Sequence, residues 1–228
     1  MGPFFLKGAI RMKKQIAILS STIGRKLIMA ATGLFLCSFL LVHLSGNLLL
    51  FKSDGGAAFN VYAHFMSSNV LIRGLEVGLV LGFLFHIVDA VLLTKWNRSA
   101  RPEHYDVARA KGNGSWTSRY MGLTGSILLL FLLIHLRTFL VEHRIVGNSA
   151  SLYDLVQSAF ANPWYVSLYV TAMFLLAFHL QHGFQSAFPT LGVTHRRYRT
   201  LINACGWLFS LLVPAGFASV PLYFYFAR

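Results

Sequence analysis

The sequence predicts an all-α protein, a bundle of five transmembrane helices. Three observations carry this. Five apolar segments, at 27–51, 70–93, 121–141, 164–188 and 202–226, each approach or exceed the ~20 residues that span a bilayer as a helix. The chain is 56% hydrophobic and 12% charged, which leaves little for a soluble domain. Histidines also recur at matched depth: His43, His86, His135 and His179 come 16, 16, 14 and 15 residues after the starts of the first four segments.

Residues 1–23 read as a basic, partly apolar cytoplasmic lead, with Met12 as an alternative start, and 24–228 as the five-helix transmembrane domain. The first segment is too long for a cleavable signal. In lipid the backbone must satisfy its own hydrogen bonds, so each segment is expected to be helical. The first loop holds Asp54-Gly55-Gly56, a turn signal. Phe59, Tyr62, Phe65 and Met66 follow at helical spacing, as in a short interfacial helix. The second loop, 95–119, is the most polar stretch, with Arg98, Arg101, Arg109 and Lys111. The third loop, 142–163, ends at Pro163, and the fourth carries His195-Arg196-Arg197-Tyr198-Arg199. The fifth segment has no histidine, and the late histidines read as a positional echo rather than a sequence repeat. Cys37 and Cys205 lie within spans as packing residues, with no zinc pair and no Cys-x-x-Cys-His haem attachment.

The net charge of +13 is unevenly placed. Assigning loops to alternate sides puts fifteen Lys and Arg residues with the N-terminus and five on the other side. The positive-inside rule then predicts a cytoplasmic N-terminus and an external C-terminus, in a prokaryotic inner membrane. Basic residues divided among loops suit lipid headgroups or an acidic protein partner, not nucleic acid.

An intramembrane histidine costs enough free energy to suggest a function. With alternating directions, His43 and His135 fall near the outer face and His86 and His179 near the cytoplasmic face. The layers lie ~12–18 Å apart at 1.5 Å rise per residue. Two imidazoles per layer suit the axial positions of haem b, which needs no cysteine. Zinc usually takes three or four ligands, often with thiolate or carboxylate. Gly78 and Gly82 before His86, Gly183 after His179 and Gly46 after His43 leave room either for a macrocycle or for close helix packing. A lone histidine would equally suit an interhelical hydrogen bond or a proton relay. His182, one turn after His179, is its local rival. His64, His104, His143 and His195 fall in loops or at span ends.

Several stretches resemble the cytochrome b membrane subunit of succinate:quinone oxidoreductase, complex II, in its single-subunit, five-helix, two-haem form shared with fumarate reductases. They are Ser21-Thr-Ile-Gly-Arg-Lys26, Thr32-Gly-Leu-Phe-Leu36 leading to Val42-His43-Leu44, Leu123-Thr-Gly125 before His135, and Phe178-His179-Leu-Gln-His182-Gly-Phe-Gln-Ser-Ala187. The resemblance covers about residues 20–226. It implies two b haems, the cytoplasmic one on His86 and His179 and the outer one on His43 and His135, with His179 favoured over His182. It also implies a flavoprotein and an iron–sulfur subunit docked on the cytoplasmic face, and electron exchange with a membrane quinone, commonly menaquinone. One subgroup carries a glutamate just after the fourth ligand for proton movement; here that position is Leu180.

Glu76, six residues into the second segment, is the candidate for quinone proton transfer; the alternative is an ion pair with Arg73. Asp89 reads as an interface anchor, and Arg119, Arg137 and Arg199 as partners for haem propionates or as snorkelling residues. The chain has no Rossmann glycine fingerprint and no cysteine set for an iron–sulfur cluster, so dicarboxylate chemistry would belong to partner chains. The rival readings are a di-haem subunit of another respiratory oxidoreductase and a proton-coupled transporter. Association of the complex into a higher oligomer is left open.

Overall fold

A computed structural model describes residues 21–99, 120–147 and 150–227. Most of the basic lead and most of the second loop, with His104, Arg101, Arg109, Lys111 and Arg119, lie outside them. All regular structure among the described residues is helical. Five helices are long and apolar enough to cross a membrane: Thr22–Phe51, Val70–Ser99, Met121–Arg144, Pro163–Thr190 and Arg196–Phe226. They match the five expected spans, extended by a turn or more at several ends, where Arg98, Arg144 and Arg196 can reach headgroups.

Spans one and four show local reasons for where they start. Ser21 caps the first, its hydroxyl accepting from the Gly24 amide at 3.1 Å. A 3₁₀ turn, Leu48–Phe51, ends it. The chain then reverses through Gly55 and Gly56, both at positive φ (65° and 84°), which glycine adopts without a Cβ penalty. The Asp54 carboxylate accepts from the Gly56 and Ala58 amides, each at 3.0 Å. Span four opens on Asn162, which accepts from the Trp164 amide, with Pro163 in its first turn.

Spans one and four form the centre: each packs on the other and on span five, span two packs on one, and span three packs on four. One end of the bundle is sealed by two loop helices. Ala57–Ser68 is the short helix expected in the first loop. It turns Phe59 into the core but leaves Phe65 52% exposed, so only part of the expected face is covered. Leu152–Ala159 was not anticipated; a capping box between Ser151 and Asp154 starts it. The Tyr153 amide donates to Asn60 Oδ1 at 3.1 Å, joining the two loop helices. Beneath them Leu50, Phe59, Val156, Phe160, Val166, Tyr169, Val220 and Phe224 form one buried cluster. We call this the capped end and the other, bearing Arg25 and Arg196, the open end.

Asp89 is not an interface anchor. It is 3% exposed, and its carboxylate pairs with the Arg25 guanidinium at 2.6 Å, tying span two to span one. Arg25 also lies over the Trp96 ring, 5.2 Å from its centroid. Removing one member of a buried pair strands the other's charge. Asp89→Ala should therefore destabilise the folded protein by ~3 kcal/mol, seen as a lower midpoint of unfolding in detergent. An unchanged midpoint would show that the pair contributes nothing to folding.

Candidate functional site: two layers of paired histidines

The spans bring the four depth-matched histidines together as two pairs. His43 and His135, from spans one and three, have ring centroids 5.9 Å apart and planes at 83°. His86 and His179, from spans two and four, stand 6.4 Å apart at 65°. The ring facing His86 is thus His179, not its neighbour His182. The first pair lies toward the capped end, the second toward the open end. No group of three or more His, Cys, Asp or Glu side chains gathers among the described residues.

Two imidazoles on opposite sides of one metal atom, with bonds of about 2 Å, have centroids roughly 6 Å apart. Both observed separations fit that arrangement. Phe39 stacks on His43 at 5.4 Å and Phe131 approaches His135 at 5.9 Å, each one turn before its histidine. Such apolar walls keep water from the rings.

The glycines divide. A Cβ on Gly82 would meet Phe35 at 2.9 Å, and one on Gly46 would collide with the Tyr62 ring, so these two serve close packing. Gly78 has nothing within 4 Å of its Cβ position, and Gly183 meets only Met121, at 3.6 Å. Two other glycines face the imidazoles directly. A Cβ on Gly33 would lie 3.5 Å from His86 Cε1, and one on Gly125 would lie 3.4 Å from His179 Cε1.

That symmetry has a signal in the sequence. Aligned without gaps at an offset of 92, residues 29–44 and 121–136 agree at nine of sixteen positions. The shared residues are Met29, Thr32, Gly33, Leu36, Phe39, Leu40, Leu41, His43 and Leu44, with their counterparts from Met121 to Leu136. His179 follows His86 by 93. Over spans one and three the positional echo is therefore a sequence repeat, while spans two and four share only the spacing of their histidines.

Toward the capped end, Tyr169 places its hydroxyl 3.3 Å from His135 Nδ1. Tyr165 stacks on Tyr169 and lies 3.3 Å from Thr138 Oγ1. These last two residues line a cavity of about 600 Å³ with Arg137, Glu142 and Asn162. Span three passes through a π-helical turn, Leu136–Val141, directly after His135, and so presents Arg137 and Thr138 there. Arg137 pairs with Glu142 at 2.7 Å. Glu76 makes the expected pair with Arg73, at 2.5 Å, and a second with Arg144 of span three, at 2.6 Å. Arg199 is exposed at the start of span five.

Residues 97–215 match the family described as succinate dehydrogenase/fumarate reductase transmembrane subunit, just over half of the chain. The chain belongs to that family. It is a multi-pass membrane-anchor subunit of the complex II type. The anchor is also similar to a Bacillus subtilis (strain 168) protein named succinate dehydrogenase cytochrome b558 subunit. The two are 27% identical over 159 residues, covering 68% of the anchor and 73% of the relative. No solved structure gives a significant match. The family match takes in spans three and four, with His135 and His179, and most of span five; the repeat relates His135 to His43 in the first half of the anchor.

Proposed function

We propose that this anchor subunit carries electrons between an iron–sulfur partner and a membrane quinone, menaquinone by resemblance, with two b haems as carriers. The observation that supports it is the pair of two-imidazole layers, from four different spans, at separations suited to one metal atom each. His86 and His179 would hold one haem through Nε2, and His43 and His135 the other. Bound haem b would supply a one-electron carrier in each layer. The apolar spans exclude water from both, and no glutamate follows His179, since Leu180 is buried there.

The open end is assigned to the cytoplasm, because fifteen of the twenty basic residues belong to its side of the chain. The flavoprotein and iron–sulfur subunits would dock there. Quinone would then react toward the capped end. The cavity lined by Thr138 and Tyr165 would take it, and Glu76, paired with Arg73 and Arg144 outside that lining, would handle the proton.

Pyridine haemochrome assay of the purified complex should give two haems per chain. One haem per chain would remove the two-layer reading. None, with no Soret band, would leave an anchor subunit that does not carry electrons through haem.

A further inference from the structure

The histidines of the open-end layer, His86 and His179, each face a threonine hydroxyl of the neighbouring span. Thr32 Oγ1 lies 3.4 Å from His86 Nδ1, and Thr124 Oγ1 lies 3.5 Å from His179 Nδ1, at the long end of hydrogen-bond range. What each hydroxyl can do there is decided by its other bond. A threonine hydroxyl has one hydrogen. Thr32 donates it to the Ile28 carbonyl at 2.8 Å, and Thr124 donates its own to the Met121 carbonyl at 3.1 Å. Only lone pairs are left to face the imidazoles. An acceptor at Nδ1 selects the tautomer with hydrogen on Nδ1 and leaves the Nε2 lone pair free for a metal.

The following residue is glycine in both cases, and a Cβ there would reach only ordinary van der Waals contact with the imidazole, 3.5 Å from His86 and 3.4 Å from His179. The arrangement occurs twice, at repeat-related positions, on the two ligand candidates of one layer. The other layer is built differently, since His135 Nδ1 faces the phenol of Tyr169.

We propose that Thr32 and Thr124 are positioning residues for the open-end haem: they fix the tautomer and ring orientation of His86 and His179 and hold that haem's potential down. This rests on the two-haem reading above. A hydrogen bond accepted from Nδ1–H makes the imidazole a stronger donor and favours ferric iron. Losing the bond therefore favours ferrous iron and raises the midpoint. The effect should be confined to one layer.

The test uses the purified complex carrying Thr32→Val, Thr124→Val, the double variant, and Thr→Ser at each position. Valine keeps the shape and removes the acceptor; serine keeps the acceptor. Redox titration by optical and EPR spectroscopy follows each haem separately. Each valine should lower the ferric-to-ferrous ratio of the open-end haem several-fold at fixed ambient potential. The double variant should approach tenfold, which is 59 mV for a one-electron couple. The capped-end haem should not move, and both serine variants should match wild type. An unmoved open-end potential in the valine variants would overturn the proposal, as would equal shifts of both haems or serine variants that behave like valine. If the double variant fails to assemble, the single variants decide by the same criteria. A failure of the two-haem reading shows up separately, as a wild-type complex with fewer than two haems per chain.

Discussion

Replacing His86 or His179 with alanine should abolish one of two low-spin haem signals and leave the other, whereas His43→Ala or His135→Ala should do the reverse. The pairing follows from which rings face each other across the bundle. Each layer offers two imidazoles from different spans, so deleting one would leave a bound iron with a single protein ligand. His182 is the informative control. It lies one turn beyond His179, yet the ring opposite His86 is that of His179. His182→Ala should leave both signals intact. Low-temperature EPR of each purified variant reads the outcome. Loss of a signal in His182→Ala, with normal ligation in His179→Ala, would reverse the assignment. Loss of both signals from every single variant would mean that the layers are not independent centres.

Glu76→Gln should lower quinone-linked turnover at least tenfold while leaving both haem spectra and dye-linked succinate oxidation at wild-type level. A general acid–base group usually contributes about 10²–10⁴-fold, so tenfold is the least loss this role predicts. Glutamine keeps the size and the acceptor oxygen but cannot exchange a proton. It also leaves Arg73 and Arg144 without their shared anion, so the intact haem spectra serve as the check on folding. Turnover near wild type would make Glu76 a structural ion-pair residue and move proton exchange elsewhere, with Glu142 beside the 600 Å³ cavity the next carboxylate to test.

The five spans and the pairing of the four histidines were legible because both depend on one-dimensional quantities. An apolar run long enough to cross the bilayer is read directly. Depth converts to height at a fixed rise per residue. The Ala57–Ser68 helix was legible from its spacing, but not the partial exposure of its apolar face, which depends on where Leu152–Ala159 docks. That second helix has a signal in the Ser151–Asp154 box and in the helical spacing of Leu152, Leu155, Val156 and Ala159, but it is short and lies within a polar loop. Asp89 near a span end looks like any interfacial carboxylate until Arg25 and Trp96 are brought over it from sites distant in sequence. Tyr169 was hidden for a similar reason: nothing in its local sequence marks the hydroxyl that meets His135. In the sequence the Thr-Gly pairs stand out only as parts of a resemblance. Their place against His86 and His179 needed the fold, although the 92-residue offset between them was open to inspection.

The repeat also turns spans one and three into rulers. In each, the threonine of one layer and the histidine of the other are eleven residues apart. That is about three full helical turns, or ~16 Å of rise. A single face of the helix therefore serves both layers, and the vertical gap between the two centres is set by a residue count rather than by contacts tuned one at a time. Side-chain changes along those eleven positions can adjust either centre without moving it. One inserted residue could not be absorbed so easily, because it would swing the histidine by ~100° relative to the threonine and put the two layers out of phase.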